Sequence, residues 1–356
     1  MIKELFTLTR ASNKHSEEIR RLQMTGGSTY IVSLPKKWVT QNRLEKGSSL
    51  LIQEEENGAL SIRPPDMGKP ERPEEAFIEV SQKDNPGALT RKAVAAYLVG
   101  YNIIHIRAKS QQQLSSRQRN ILKTFARSLL VGTEIVTDTS AELTLQVLLS
   151  YPELSVPSAL RRMGIITSSM HKDAITALKK LDSQLAQDVI ATDNEVDRFH
   201  LYIIRQLKMA VQNPRIIKEI GLKNPRDCLG HRLITKTVER TADHAVNIAR
   251  NTLTLKKSLD NKALGKIEQM SAIAISSFEK AIESLFKRNF DKAEDIIKKT
   301  KEIISLEEEA VHFSREIGME EITNVRLIIE SVTRAAEYAS DIAEIVLNLT
   351  VESVIE

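Results

Sequence analysis

An internal repeat in the second half of the chain constrains the fold more than any other feature of the sequence. The segment Val238–Ala249 (VERTADHAVNIA) aligns with Val332–Ala343 (VTRAAEYASDIA) at a constant offset of 94 residues. Both copies lie in long amphipathic runs of the kind that form packed helices. A duplicated set of helices predicts two similar bundles, here two antiparallel three-helix bundles over residues 157–258 and 259–356.

A second pair of aligned segments locates an insertion in the first bundle. Ala186–Ile190 aligns with Ala293–Ile297 at an offset of 107, so the first copy carries 13 more residues than the second (107 minus 94). The extra residues correspond to the segment 213–225, where two Asn-Pro pairs interrupt the helical pattern. Six long helices, in two groups of three, account for the remainder of this half.

Four prolines between residues 64 and 73 separate the front of the chain from the rest. Proline fixes φ and has no amide hydrogen, so this stretch predicts a linker. Residues 1–65 combine short β-branched runs with Gly-Gly and Asn-Gly turn pairs, which predicts a small β-rich domain. Residues 75–152 alternate strand, helix, strand, helix, strand and strand, which predicts a small α/β domain. The predicted fold class is therefore mainly α.

The composition agrees with a mainly helical architecture and excludes several classes of protein. Aromatic residues make up only 4% of the 356 residues, and there are 10 prolines and 13 glycines, which favours helix over β-sandwich folds. The single cysteine, Cys228, cannot form an internal disulfide or a thiolate zinc site. No apolar stretch approaches the roughly 18 residues of a membrane helix. We expect a cytoplasmic protein with neither a secretion signal nor a membrane span.

Basic side chains are concentrated at the front of the chain. Residues 1–65 hold 10 Lys and Arg against 7 Asp and Glu, whereas residues 155–356 hold 30 of each kind. The basic segment contains the sequence RRLQMTGGSTYIVSLPKKW over Arg20–Trp38, followed by LEKG over Leu44–Gly47. This order of motifs resembles the AbrB/SpoVT (MazE-type) swapped-hairpin DNA-binding domain over about residues 17–64.

That resemblance implies a homodimer that binds DNA. A module this short cannot bury enough apolar area alone, and interleaving two copies would supply a core. Pairing would also gather basic side chains that contact phosphates or guanine edges. The predicted DNA-binding residues are Arg20, Arg21, Lys36, Lys37 and Arg43. Without the resemblance, these charges would be interpreted as an ordinary solvated surface. The Gly26-Gly27 pair predicts a hairpin turn, because no helix follows it as in a phosphate-binding loop.

The opening of the middle segment has two interpretations. The sequence KDNPGALT over Lys83–Thr90, followed by GYNIIHI over Gly100–Ile106, resembles the opening of small-molecule-sensing ACT domains. That resemblance implies an effector pocket at the start of the helix. The residues themselves favour an ordinary helix N-cap at Asp84 or Asn85, ahead of Pro86. Because the predicted order of strands and helices also differs from that family, we assign no chemistry to this segment.

Paired carboxylates occur at helical spacing in the first bundle. Asp193 and Asp197 are four residues apart on its second helix, and Glu239 and Asp243 are four residues apart on its third helix. Four acids on adjacent helices repel one another unless a cation lies between them, and a metal ion is such a cation. The alternative from spacing alone is a solvated surface, on which each pair forms salt bridges with flanking bases such as Lys236.

Residues 157–356 resemble the PhoU family of phosphate-uptake regulators, in which two three-helix bundles carry E/DxxxD motifs that bind multinuclear metal clusters. The resemblance implies a divalent or trivalent metal ion (Fe, Zn, Mn or Mg) at four acidic positions: Asp193, Asp197, Glu239 and Asp243. The aligned positions of the second bundle are Thr300, Ile304, Thr333 and Glu337. Three of these four are not acidic, so we expect metal in the first bundle only.

The remaining reactive residues do not indicate an enzyme. The histidines at 171, 200, 231, 244 and 312 lack the HxxxH and HExxH spacings of zinc sites, and we expect structural roles for them. No Cys/His arrangement is recognisable, and Cys228, next to Asp227 and near Asn224-Pro225, is interpreted as a structural loop cysteine. A hydrolase that used the four carboxylates would also need a general base and a positive phosphate clamp, which the sequence does not provide.

The two resemblances together predict a phosphate-responsive transcriptional regulator of phosphate uptake. Its N-terminal domain would bind DNA as a dimer, and its PhoU-like bundles would bind metal and sense a signal or dock onto a phosphate transporter or signalling protein. The alternative is an adaptor that does not bind DNA and that negatively regulates a phosphate transporter or a signalling kinase. The basic residues between Arg20 and Lys37 favour the first function.

Overall fold

The computed structural model describes residues 18–54, 58–65, 75–109, 112–148, 154–213, 216–314 and 319–355. Contacts between Cα atoms divide the chain into two compact units, residues 1–72 and 73–356. Within the described ranges, none of the helices combines the length and apolarity that a membrane span requires.

The N-terminal unit contains two short hairpins and one helix. Strands β1 (Gln23–Thr25) and β2 (Thr29–Ile31) form the first antiparallel hairpin, α1 spans Lys36–Gln41, and β3 (Leu51–Glu54) and β4 (Leu60–Arg63) form the second. Gly26 and Gly27 have φ values of +61° and +80°, which glycine adopts without steric cost. The predicted Gly-Gly hairpin turn is therefore confirmed. Asn57 of the other predicted turn lies outside the described residues.

Almost no side chain of the N-terminal unit is buried. Of its described residues, only Pro64 is buried. Nine large apolar side chains are exposed: Ile19, Leu22, Met24, Tyr30, Ile31, Val32, Leu51, Ile52 and Leu60. Apolar surface on this scale in a small unit is typical of an interface, because removing it from water is strongly favourable. The described residues of a single copy therefore form no hydrophobic core.

Residues 75–148 form a four-stranded mixed sheet with two helices. The elements in order are β5 (Glu75–Val80), α2 (Pro86–Val99), β6 (Ile103–Ala108), α3 (Ser116–Leu129), β7 (Thr133–Asp138) and β8 (Glu142–Val147). The strand order is β5-β6-β8-β7, with β5 and β6 parallel and the other neighbours antiparallel. Alternate strand residues such as Ile104 and Leu143 pack with helix residues such as Leu89 and Leu122 in one core.

The loop before α2 is an N-cap, as the residues themselves predict. The Asn85 side chain accepts a hydrogen bond of 2.8 Å from the Gly87 amide, and Pro86 is the first helical residue. The Gln118 side chain of α3 donates to the carbonyl groups of Ser81 and Asp84, each at 3.0 Å. Because the polar groups of this loop are paired within the domain, the structure favours the N-cap interpretation over an effector pocket here.

The helical half begins with α4 (Val156–Lys180), α5 (Ser183–Gln212), the short α6 (Ile216–Glu219) and α7 (Pro225–Thr252). It continues with α8 (Asn261–Lys287), α9 (Phe290–Thr300), α10 (Ile303–Phe313) and α11 (Met319–Thr350). The helices α4, α5 and α7 form the first bundle, and α8 to α11 form the second. Their buried apolar residues form one continuous core. The predicted insertion holds α6.

The second bundle differs from the prediction of three unbroken helices. Its middle helix is divided into α9 and α10 at Lys301-Glu302. The Glu302 amide donates to the Lys299 carbonyl at 3.2 Å, and the Thr300 hydroxyl donates to the Ile297 carbonyl at 3.1 Å. The Glu302 bond spans three residues where an α-helical bond spans four, so the backbone tightens at the point where α9 ends.

Candidate functional site

Helices α5 and α7 pack side by side and bring the predicted acidic residues together. Asp193 and Asp197 lie one turn apart on α5, and Glu239 and Asp243 lie one turn apart on α7. Burial and the neighbouring carboxylates raise the pKa of Asp193 and of Asp197 to about 6. Burial and Glu239 also raise the pKa of Asp243. The cluster therefore resists carrying its full negative charge without a cation.

A histidine joins this cluster. One ligand atom each from Asp197, His200 and Glu239 lie within 4.8 Å of one another, and His200 Nδ1 is 3.7 Å from Glu239 Oε1. Burial lowers the pKa of His200 to about 4, so its imidazole is neutral and can coordinate a metal ion. We name Asp193, Asp197, His200, Glu239 and Asp243 the α5–α7 centre.

The sequence contains a signal for His200 that the spacings of paired histidines do not reveal. Asp193, Asp197 and His200 follow at positions i, i+4 and i+7, which share one face of a helix. An acid three residues before a histidine is also a ligand spacing known from metal sites in helix bundles. The expectation of a structural role for His200 is therefore replaced by a candidate ligand role.

Within the α5–α7 centre, the ligand atoms of Asp197, His200 and Glu239 are close enough together to hold a metal ion, and Asp193 and Asp243 lie outside that group of three. Asp193 Oδ1 is buried and has no hydrogen-bond partner among the described residues, which is costly for an acceptor. The predicted alternative, salt bridges to flanking bases, applies to Glu239, whose Oε2 accepts from Lys236 Nζ. In the described ranges, no base forms an ion pair with the three aspartates. Carboxylates with one imidazole suit Zn, Fe or Mn better than Mg, which prefers oxygen ligands alone.

The aligned positions of the second bundle do not form a matching cluster. Thr300 is the last residue of α9, and Ile304 on α10 is 62% exposed. Thr333 offers a hydroxyl in place of a carboxylate, and Glu337 Oε2 accepts from Arg334 Nη1 at 2.7 Å. Across the part of the chain that the structure describes, Asp197, His200 and Glu239 are the only group of three or more candidate ligands this close together.

The predicted DNA-binding residues are all exposed in the N-terminal unit. Lys36 and Lys37 begin α1, and Arg43 follows the end of that helix with a φ of +53°. Arg20 and Arg21 precede β1, and Arg20 pairs with Glu18. No hydrogen bond or ion pair among the described residues links these two arginines to α1. A single copy thus presents all five basic residues to solvent.

Cys228 shows no sign of a nucleophilic role. It is buried, and burial together with Asp227 raises the pKa of its thiol, which lowers the fraction of reactive thiolate.

Comparison with known protein families gives two matches. The PhoU domain matches residues 160–252 and 267–346. The family described as "Antidote-toxin recognition MazE, bacterial antitoxin" matches residues 23–70. The first match covers both helical bundles, and the second covers the hairpins and α1 of the N-terminal unit.

Curated relatives and solved structures are similar to part of the chain. A phosphate-specific transport system accessory protein PhoU homolog of Clostridium acetobutylicum is 26% identical over 151 residues, which are 42% of this chain and 67% of the relative. The homolog of Caulobacter vibrioides is 24% identical over 200 residues, covering 52% and 82%. The crystal structure of PhoU from Pseudomonas aeruginosa is 19% identical with a TM-score of 0.49, covering 55% and 96%. PhoU from Streptococcus pneumoniae, described as a phosphate transport system regulatory protein, is 18% identical with a TM-score of 0.49, covering 56% and 96%.

Proposed function

We propose that this chain, which carries two PhoU domains behind an N-terminal domain of the MazE antitoxin type, is a metal-dependent transcriptional regulator of phosphate uptake. The observation that carries the proposal is the presence of both kinds of domain in one chain. The curated relatives are named as accessory proteins of phosphate-specific transport systems, which supports phosphate supply as the regulated process. The protein acts in the cytoplasm, where its DNA target lies, and the proposal includes no catalytic step.

The exposed apolar side chains of the N-terminal unit support DNA binding by a homodimer. Two copies that interleave their hairpins remove the nine exposed apolar side chains from water, which supplies the core that one copy lacks. Pairing also doubles the number of basic residues available to one DNA site. Lys and Arg side chains that contact phosphates release bound counterions, and arginine can also donate two hydrogen bonds to guanine.

The α5–α7 centre supports metal binding by the first bundle. Asp193, Asp197, Glu239 and Asp243 would hold the ion, with His200 as the nitrogen ligand, and the ion would supply the positive charge that the carboxylates lack. Metal affinity should rise between pH 5 and pH 7. The carboxyl groups whose pKa is raised to about 6 must lose their protons before they bind the ion.

A DNA-binding experiment tests the regulatory function. In the Arg20→Ala/Arg21→Ala/Lys36→Ala variant of the full chain, binding to duplexes from the protein's own genomic neighbourhood should weaken. The logarithm of the binding constant should also depend less steeply on the logarithm of salt concentration, by about 0.9 for each phosphate that the variant no longer neutralises. The matched control is Lys280→Ala/Lys292→Ala/Lys299→Ala, which removes three charges from the second bundle. An unchanged salt slope in the first variant would favour the adaptor that does not bind DNA.

The assembly is tested on the full chain by analytical ultracentrifugation. The wild type should sediment as a dimer, and Ile52→Glu/Leu60→Glu, which places charges on the exposed apolar surface of the second hairpin, should be monomeric. The control Gln53→Glu adds a charge to the opposite face of the same hairpin, where Gln53 pairs with Ser61. A folded wild-type monomer at micromolar concentration would contradict the interleaved dimer.

A further inference from the structure

A buried arginine joins α5 to the middle domain. Arg205 is only 5% exposed, and its guanidinium lies 4.8 Å from the ring centroid of Tyr97. The guanidinium donates to the Tyr97 carbonyl, to the Tyr101 carbonyl at 3.0 Å, to the Gly100 carbonyl at 3.3 Å and to Asn102 Oδ1 at 2.8 Å. One side chain of the first bundle thus holds the whole turn that connects α2 to β6.

The chemistry of these contacts makes them a strong constraint. A buried guanidinium is costly unless its donors are paired, and Arg205 reaches four oxygen atoms in a planar fork. Gly100, with a φ of +112°, ends α2 in the left-handed conformation. The last carbonyl groups of a helix carry partial negative charge, so a cation at this end is stabilised. Displacing α5 from α2 would therefore break several charge-assisted hydrogen bonds at once.

The segment of α5 that carries Arg205 also carries the metal ligands. Asp197 and His200 lie eight and five residues before Arg205, which is about 12 and 7.5 Å along a helix axis. Between them, Leu201 packs against the core of the middle domain, and Tyr202 Oη donates to the Leu154 carbonyl at 2.5 Å. One face of this segment lies against α7 at the α5–α7 centre, and another lies against the middle domain.

We propose that Arg205 is a positioning residue that couples the α5–α7 centre to the turn Tyr97–Asn102 of the middle domain. This inference rests on the proposed metal binding. Without a cation, the carboxylates on α5 and α7 repel one another across the helix interface, and a bound ion reverses that force. Because α5 is a continuous helix held to α2 by Arg205, a shift of α5 is transmitted to the turn. The conformation of this turn in the middle domain then depends on whether the α5–α7 centre holds a metal ion.

Hydrogen–deuterium exchange of the full chain, with EDTA or with Zn²⁺, tests this coupling. In the wild type, Zn²⁺ should slow amide exchange of residues 97–103 at least about fivefold, the lower end of usual coupling strengths. In Arg205→Met, Zn²⁺ should still bind, but exchange of residues 97–103 should no longer depend on it. Arg205→Lys keeps the charge without the fork and should recover part of the response. The control Lys208→Met, at an exposed position of α5, should respond like the wild type.

The outcomes separate this inference from the proposed function. If equilibrium dialysis shows no Zn²⁺ bound to the wild type, the metal centre itself is wrong. If Zn²⁺ binds but does not change exchange of residues 97–103 in the wild type, the coupling is overturned and the metal centre stands. A full Zn²⁺ response in folded Arg205→Met would also overturn the role of Arg205. If Arg205→Met does not fold, the Zn²⁺ dependence of exchange in the wild type still tests the coupling, and that in Arg205→Lys still tests the role of Arg205.

Discussion

The two helical bundles share one repeat and differ where the first bundle gathers its acidic residues. Helix α5 runs unbroken for 30 residues through Asp193 and Asp197. The aligned stretch of the second bundle is divided between α9 and α10, with Thr300 at the end of α9 and Ile304 exposed on α10. Residues four apart share a face only while the helix continues. A site built on (i, i+4) pairs therefore needs an unbroken backbone as well as acidic side chains.

A second difference lies at the contact between the bundles. His244 on α7 aligns with Tyr338 on α11 at the offset of 94, and the two rings lie 5.6 Å apart. His171 on α4 is fully buried, and neither ring nitrogen has a partner among the described residues. Burial, with His244 nearby, lowers the pKa of His171 to about 4. In the second bundle, His312 is exposed. Among the described residues, the buried histidines thus lie in the first bundle.

The largest expected effect is the loss of metal from the first bundle alone. Asp193→Asn/Asp243→Asn should abolish bound metal, measured by elemental analysis, and any rise of Tm on addition of Zn²⁺. Binding to the folded state alone stabilises it by about 2.7 kcal/mol when the free ion is at 100 times Kd. The matched control Glu337→Gln/Asp341→Asn removes two acids from α11 and should keep both properties. If the wild type takes up no metal after chelation, the four acids would instead be interpreted as an ordinary solvated surface.

The loss of folding stability at acid pH should also arise in the first bundle. The pKa of His171 is about 4 in the folded state and about 6.5 when unfolded, so the unfolded chain binds the proton first as pH falls. This stabilising contribution is complete above pH 6.5 and is lost towards pH 4. Between pH 7 and pH 5 it should reduce the free energy of unfolding by about 2 kcal/mol.

Urea denaturation with EDTA at both pH values measures this loss. His171→Leu should be less sensitive to pH than the wild type by that amount. His312→Leu, at an exposed position, should match the wild type. Equal pH dependence in all three proteins would place the acid sensitivity elsewhere.

A smaller effect is expected from exchanging a single ligand between the bundles. At the offset of 107, His200 aligns with Glu307, so His200→Glu gives the first bundle the residue of the second. The centre would then offer oxygen ligands only, and its preference for Zn²⁺ over Mg²⁺ should fall at least tenfold, which is about 1.4 kcal/mol. Competition titration with both ions measures the ratio. An unchanged ratio would exclude His200 from the ligand set.

The smallest expected effect comes from placing the acids in the second bundle. Thr300→Asp/Ile304→Asp/Thr333→Glu restores acidic residues at the aligned positions, with Glu337 as the fourth. Because the helix is interrupted at Lys301-Glu302, the new side chains should not converge, and the amount of metal bound per chain should stay at the wild-type value. A doubled metal content by elemental analysis would show that the break does not prevent binding.

Local sequence patterns predict most of the strands and helices. They do not predict the break in the second bundle or the contacts between distant segments. The order of strands and helices over residues 75–148 follows from alternation and caps, and the bundles follow from the repeat. The break after Thr300 is marked in the sequence by neither proline nor glycine, and in the structure the Glu302 amide bonds to the carbonyl only three residues before it. The contact of Arg205 with Tyr97 joins residues more than 100 positions apart. The ligand role of His200 can be predicted from helical spacing, but only when its position is considered together with those of Asp193 and Asp197.

The exposed apolar side chains of the N-terminal unit have a consequence for the cell. In the proposed dimer, the core of the DNA-binding module exists only when two chains meet, so the amount of competent module depends on how much protein is made. At low abundance the number of dimers rises with the square of the chain concentration. A twofold change in expression would then change operator occupancy by up to about fourfold. Operator occupancy would then depend on the number of gene copies as well as on the metal ion.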